Sequence, residues 1–140
     1  MSLRLAAFAL LACLFALAAC TSSVPRTSDK DVVVVDHEQL VRLLTDKREI
    51  TLVIDVRSPE QYAAGHLPMA VNIPFTQLGP GDPRLAEVQN IVVYGRGLGD
   101  PLSRAAAKRM LVQGYTNVYD FAGGLDLWKR MGGQVVTGGE

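Results

Sequence analysis

The chain has 140 residues, enough for one domain. Its 14 basic and 14 acidic residues balance, and no run of like charge exceeds a pair such as Lys47–Arg48, which excludes a nucleic-acid footprint and an acidic tail. Both cysteines, Cys13 and Cys20, lie in the N-terminal segment, so thiol chemistry has no nucleophile anywhere after Cys20.

Residues 1–20 carry one basic residue, Arg4, and then an apolar core from Leu5 to Leu17. A membrane-spanning helix needs roughly 20 apolar residues, so this core is short for a span and has the form of a secretory signal. It ends Leu17-Ala18-Ala19-Cys20, a branched apolar residue and two small residues before a cysteine, which resembles the lipobox of bacterial lipoproteins. The resemblance implies a signal peptide over residues 1–19, cleavage before Cys20, and a lipid on Cys20 that makes the membrane a partner. An ordinary signal with an incidental cysteine and an uncleaved anchor are the alternatives. Thr21 stands where an aspartate often retains such proteins at the inner membrane, so the resemblance points to the periplasmic face of the outer membrane. The remainder of residues 20–30 is small, polar and interrupted by Pro25, and reads as a flexible tether. Its roughly ten residues span at most about 35 Å, which keeps a domain over residues 31–137 near the membrane surface.

Val32–Val35 is a β-branched run between two aspartates, a first strand. Asp36 is placed to cap a helix with Leu40, Val41, Leu43 and Leu44 on one side. Thr51–Val56 is a second strand, apolar without alternation and so expected to be buried on both faces. Ser58, Pro59 and Glu60 supply a cap, a first-turn proline and a first-turn acid for a short helix that Gly65 ends. Ala70–Ile73 is a third strand, 79–83 a loop and Arg84–Val88 a helical turn. Ile91–Tyr94 is the fourth strand, Ser103–Gln113 a helix closed by Gly114, Asn117–Asp120 the fifth strand, and Leu125, Leu127, Trp128 and Met131 fit a last helix. Strands alternating with helices in a chain this short predict an α/β fold: one domain with a mostly parallel five-stranded sheet and helices on both faces. Ligands in such sheets sit at the carboxyl ends of the strands, where Asp55–Ser58 and Gly95–Ser103 are expected to meet.

The ordered run Asp55, Arg57, Glu60, Tyr62, Gly65-His66, Ala70, Asn72-Ile73-Pro74 closely resembles the first signature of the rhodanese homology domain, departing mainly at Met69, where that family prefers glycine. Val118, Phe121, Gly123-Gly124 and Trp128 resemble its closing signature. The resemblance extends over about 31–136 and implies a single rhodanese-like domain. Asp55, Arg57, Glu60 and His66 are read as bracing the pocket, Arg57 bonding Glu60 or Asp55 and His66 acting as a hydrogen-bonded structural residue. His66 has no carboxylate at metal-site spacing, and neither a metal nor any other cofactor is expected.

Active members of that family resemble one another in a loop C-x-x-G-x-R-S, whose cysteine takes up sulfur as a persulfide among backbone N–H groups at a helix N-terminus. Here the fourth strand ends Val93-Tyr94-Gly95, so glycine stands at the cysteine position. Seven residues separate Gly95 from Ser103, against five in the family pattern, and Leu102 replaces the arginine before the serine. The candidate anion-binding loop comprises Gly95, Arg96, Gly97, Leu98, Gly99, Asp100, Ser103 and Arg104, with Asp100 as helix cap and Pro101 at the first helical position. Arg96 and Arg104 favour an anion there; Asp100 opposes a strongly charged one.

Ser103 is the only hydroxyl in this loop, and without an adjacent base it is no nucleophile; His66 is the sole candidate for that base. Gly95-x-Gly97-x-Gly99 with Asp120 also has the outline of a dinucleotide-binding turn, but Asp100 holds the place of the third glycine and would repel pyrophosphate. The expected function is therefore a sulfurtransferase homologue without sulfurtransferase activity. Two roles stay open: a binding or regulatory module for a small anion or a protein, and an enzyme whose thiol or metal comes from a partner. A purely structural lipoprotein with a vestigial pocket is a third.

Overall fold

The computed structural model describes Ser28 and residues 31–139; the expected signal segment, Cys20 and most of the tether lie outside the described residues. Five strands are present, β1 (Val33–Val34), β2 (Thr51–Asp55), β3 (Ala70–Asn72), β4 (Asn90–Tyr94) and β5 (Val118–Asp120). They form one sheet in the order β1-β5-β4-β2-β3, and every pairing is parallel. Between and after them come α1 (His37–Thr45), α2 (Pro59–Ala64), α3 (Leu102–Val112) and α4 (Gly124–Arg130).

Alternation along the central strand divides the core. Ile91 and Val93 of β4 face Ala106, Ala107 and Met110 of α3 together with Ile54 of β2 and Val118 of β5. Val92 and Tyr94 face the other way, towards Leu40 of α1, Leu125 of α4 and partly buried Tyr62 of α2. Helices thus cover both faces, as the run of five buried residues in β4 requires. The expected α/β architecture is the one observed.

Local signals set the helix ends. Asp36 accepts the Gln39 N–H at 2.7 Å while the Gln39 side chain accepts the Asp36 N–H at 2.8 Å, a reciprocal cap. Ser58 and Gln61 repeat that arrangement at α2, with Pro59 inside the first turn. Gly114, at φ 93, closes α3 as a left-handed residue.

Several boundaries differ from expectation. β1 is shorter than 32–35, because Val32 and Val35 turn into the two cores while Val33 and Val34 lie exposed. The helical turn expected at 84–88 is a single 3-10 turn, Pro83–Leu85, capped by Asp82. Helix α3 begins at Leu102, one residue before the expected Ser103. Among the described residues no helix is long and apolar enough to cross a membrane.

Candidate functional site

The loop after β4 leaves the carboxyl edge of the sheet and is tied at once to α4. The carbonyls of Gly95 and Arg96 accept the N–H groups of Leu125 at 3.2 Å and Asp126 at 2.9 Å. This approach requires glycine at 124, which has φ 54: a Cβ there would stand 2.6 Å from the Gly95 carbonyl oxygen. The chain then reverses, the Asp100 N–H donating to the Gly97 carbonyl at 3.0 Å around Gly99 at φ 90. This turn carries Leu98 at its tip with 77% of its surface exposed.

Asp100 folds back into the loop it follows. Its Oδ1 accepts the Leu102 N–H at 3.0 Å from just outside α3: the N-cap is Pro101, which has no side-chain cap bond, and not the expected Asp100, because the helix starts at Leu102 rather than at the proline. Its Oδ2 accepts the Arg96 N–H, also at 3.0 Å, across the turn. A Cβ on Gly95 would lie 2.8 Å from this Oδ2 and 3.7 Å from the Ser103 nitrogen. The interior of the loop therefore already contains a carboxylate. A surface depression of about 480 Å³ lies outside it, lined among others by Gln61, Arg96, Leu98, Asp100 and Asp126.

Beside the loop, Asp55 and Arg57 form a buried pair at the end of β2. Arg57 donates from Nε to Asp55 Oδ1 at 2.9 Å and from a terminal nitrogen to the Gly65 carbonyl at 2.7 Å. Burial opposes the guanidinium charge, but the Asp55 bonds and charge outweigh it and hold the Arg57 pKa above its ordinary value. The guanidinium lies 5.9 Å from the centre of the Tyr94 ring. Burial, with the Asp55 carboxylate beside it, pushes the Tyr94 hydroxyl far above the ordinary tyrosine value. That hydroxyl also accepts the Leu67 N–H at 3.1 Å. Asn72 completes the brace by donating to the carbonyls of Asp55 and Arg57, each at 3.0 Å.

The family described as Rhodanese-like domain matches residues 36–131. That interval holds the brace, the loop and all four helices. The chain belongs to the rhodanese-like domain family. A "Sulfurtransferase" of Allochromatium vinosum is 28% identical to it over 103 residues, covering 74% of this chain and 94% of the relative. The thiosulfate sulfurtransferase GlpE of Pseudomonas entomophila is 32% identical over 97 residues, covering 68% of this chain and 83% of the relative. Among solved structures, the BH2092 protein of Bacillus halodurans superposes with a TM-score of 0.68 at 27% identity, over 77% of this chain and 79% of that one. The rhodanese-like domain is thus related to sulfurtransferases.

Within this rhodanese-like domain, several residues expected at the site lie elsewhere. Arg104 does not serve the loop: its Nε donates to buried Asp120 Oδ2 at 2.8 Å, on β5. Ser103 is 3% exposed, within the first turn of α3, and is not among the residues lining the depression. Glu60 is no part of the brace. It is exposed on α2, where a hydrogen bond with Ser58 lowers its pKa, and Arg57 takes Asp55 instead. His66 lies in a different place from the loop, lining a groove of about 850 Å³ with Tyr62, Met69 and Arg84. Its ring stacks on Tyr62 at 3.6 Å, its Nδ1 is 2.8 Å from the Tyr62 carbonyl, and its backbone pairs both ways with Val136. Among the described residues no three His, Cys, Asp or Glu side chains are grouped to hold a metal ion.

Sequence reasoning missed Tyr94, Gln61 and Asp126. An aromatic in a buried strand reads as core, and nothing in the spacing of Asp126 shows that its amide holds the loop.

Proposed function

We propose that this rhodanese-like domain is a non-catalytic binding or regulatory module, held by a lipid on Cys20 at the periplasmic face of the outer membrane. One observation supports the reading: Gly95 directly follows β4, the place where the motif resemblance puts the cysteine of active members, and a Cβ there would stand 2.8 Å from the Asp100 carboxylate. No thiol follows Cys20 to replace it. Persulfide formation needs a thiolate, and a lipid-blocked cysteine supplies none.

A protein suits the loop better than a free anion. Like charge from Asp100 opposes an anion inside the loop, whereas its outer face presents exposed Arg96, Leu98 and Asp126, a mixed surface open to side chains of a partner. The names of the two sulfurtransferase relatives favour a second reading, in which sulfur transfer occurs with a thiol from a partner protein.

The test is thiocyanate formation from thiosulfate and cyanide by the full chain in detergent. The reading predicts no turnover above the protein-free rate, and turnover by the purified chain overturns it. Turnover that needs a cell-envelope extract, and disappears when thiols of the extract are alkylated, moves the assignment to the second reading.

A further inference from the structure

We infer that Asp100 is a built-in latch: its carboxylate supplies the loop's own anion, closes residues 95–101 against small oxyanions, and disfavours any side chain at position 95. The inference rests on the non-catalytic reading of the same loop and names what took the place of the thiol.

Both oxygens of the carboxylate are committed, and they bridge the loop. Oδ2 holds the Arg96 N–H and Oδ1 the Leu102 N–H, so one side chain fastens the chain before the turn to the chain after it. Ion pairing contributes little to this arrangement, because Arg104 is bound to Asp120. The charge is met instead by backbone donors and by the start of an 11-residue helix.

Position 95 is coupled to this latch by geometry. The nearest atom to a Cβ at Gly95 is Asp100 Oδ2 at 2.8 Å, closer than real Cβ contacts come, and the next neighbour beyond the same carboxyl group is the Ser103 nitrogen at 3.7 Å. One added carbon therefore collides with the carboxylate alone. Relieving the collision means displacing the Asp100 carboxyl group, which weakens the two hydrogen bonds it accepts. A thiolate or an oxyanion at the same place meets a like charge at contact distance, which disfavours its charged form. Position 95 and the inward aspartate are thus coupled, and a cysteine placed at 95 with Asp100 retained restores no thiolate site.

The test uses the full chain in detergent with Cys13→Ser and Cys20→Ser, so that an introduced thiol is the only one present. Gly95→Cys is made with Asp100 retained and with Asp100→Ser, which keeps an acceptor oxygen and withdraws the charge and the second oxygen. The pH midpoint of the thiol's reaction with an aromatic disulfide reagent is measured in each. With Asp100 retained the midpoint should lie above the ordinary cysteine value of about 8.5. With Asp100→Ser it should fall by at least about one pH unit, with a roughly tenfold faster reaction at neutral pH. Equal midpoints overturn the inference. If Gly95→Cys does not fold with Asp100 in place, Gly95→Ala reads the same coupling by Tm: its loss should shrink by more than half when Asp100→Ser accompanies it, and equal losses overturn the inference. Thiosulfate turnover by the unsubstituted chain would end the non-catalytic reading without altering either comparison.

Discussion

Arg104 Nε donates to Asp120 Oδ2 at 2.8 Å, joining the first turn of α3 to the end of β5. Asp120 is fully buried, and its Oδ1 has no hydrogen-bond partner among the described residues. The arginine is therefore what makes a buried carboxylate tolerable. Arg104→Met should lower stability by about 3 kcal/mol in urea denaturation, because it strands that charge. Adding Asp120→Asn should recover more than half of the loss, since it removes the charge that was stranded. An arginine serving the loop would instead be replaceable with little effect on stability.

Tyr94 gives the domain an alkaline limit. Burial, followed by the Asp55 carboxylate, raises its pKa above the ordinary 10.0, so the folded state favours the neutral phenol. The sign follows from linkage: the contribution is complete below pH 10, and is lost as the pH rises above it, where the unfolded chain releases this proton and the folded chain does not. Tyr94→Phe should cost about 1 kcal/mol at neutral pH through the hydrogen bond from Leu67. It should also flatten the fall in stability above pH 10. Urea midpoints for both proteins across that range check the two effects, and parallel pH profiles would contradict them.

Met69 occupies a left-handed conformation, φ 60, with 70% of its surface exposed. A side chain there is strained, and its exposure offers little burial in return. Met69→Gly should stabilise the domain by about 0.5–1 kcal/mol, the relief of strain being partly offset by the greater freedom of glycine in the unfolded chain. A thermal scan checks this, and a loss of Tm would show that the methionine makes a compensating contact.

The parts of the fold fixed by local chemistry were legible in the sequence. Asp36 and Ser58 announce their helices because a cap acts over three residues, and the apolar run at 91–94 can be little else than a buried strand. Met69 stood out against the resemblance for a reason the backbone explains. The candidate site was only half legible. The bond from the Leu102 N–H to Asp100 spans two residues and could be anticipated, although the helix starts after the proline rather than at it; the bond from the Arg96 N–H depends on the fold of the turn between them. Arg104 is 16 residues from Asp120, and their contact exists only because α3 packs beside β5. Glu60 sits next to the brace in sequence but on the outer side of α2, a direction the motif does not reveal.

After Cys20 this rhodanese-like domain has no thiol on which to carry a transferable sulfur. The most direct measurement is the intact mass of the full chain, with Cys13→Ser and Cys20→Ser, after incubation with thiosulfate. An unchanged mass, and no thiocyanate on later addition of cyanide, is the expected result. A gain of one sulfur atom that cyanide removes would contradict the non-catalytic reading and would place a sulfur acceptor elsewhere in the chain.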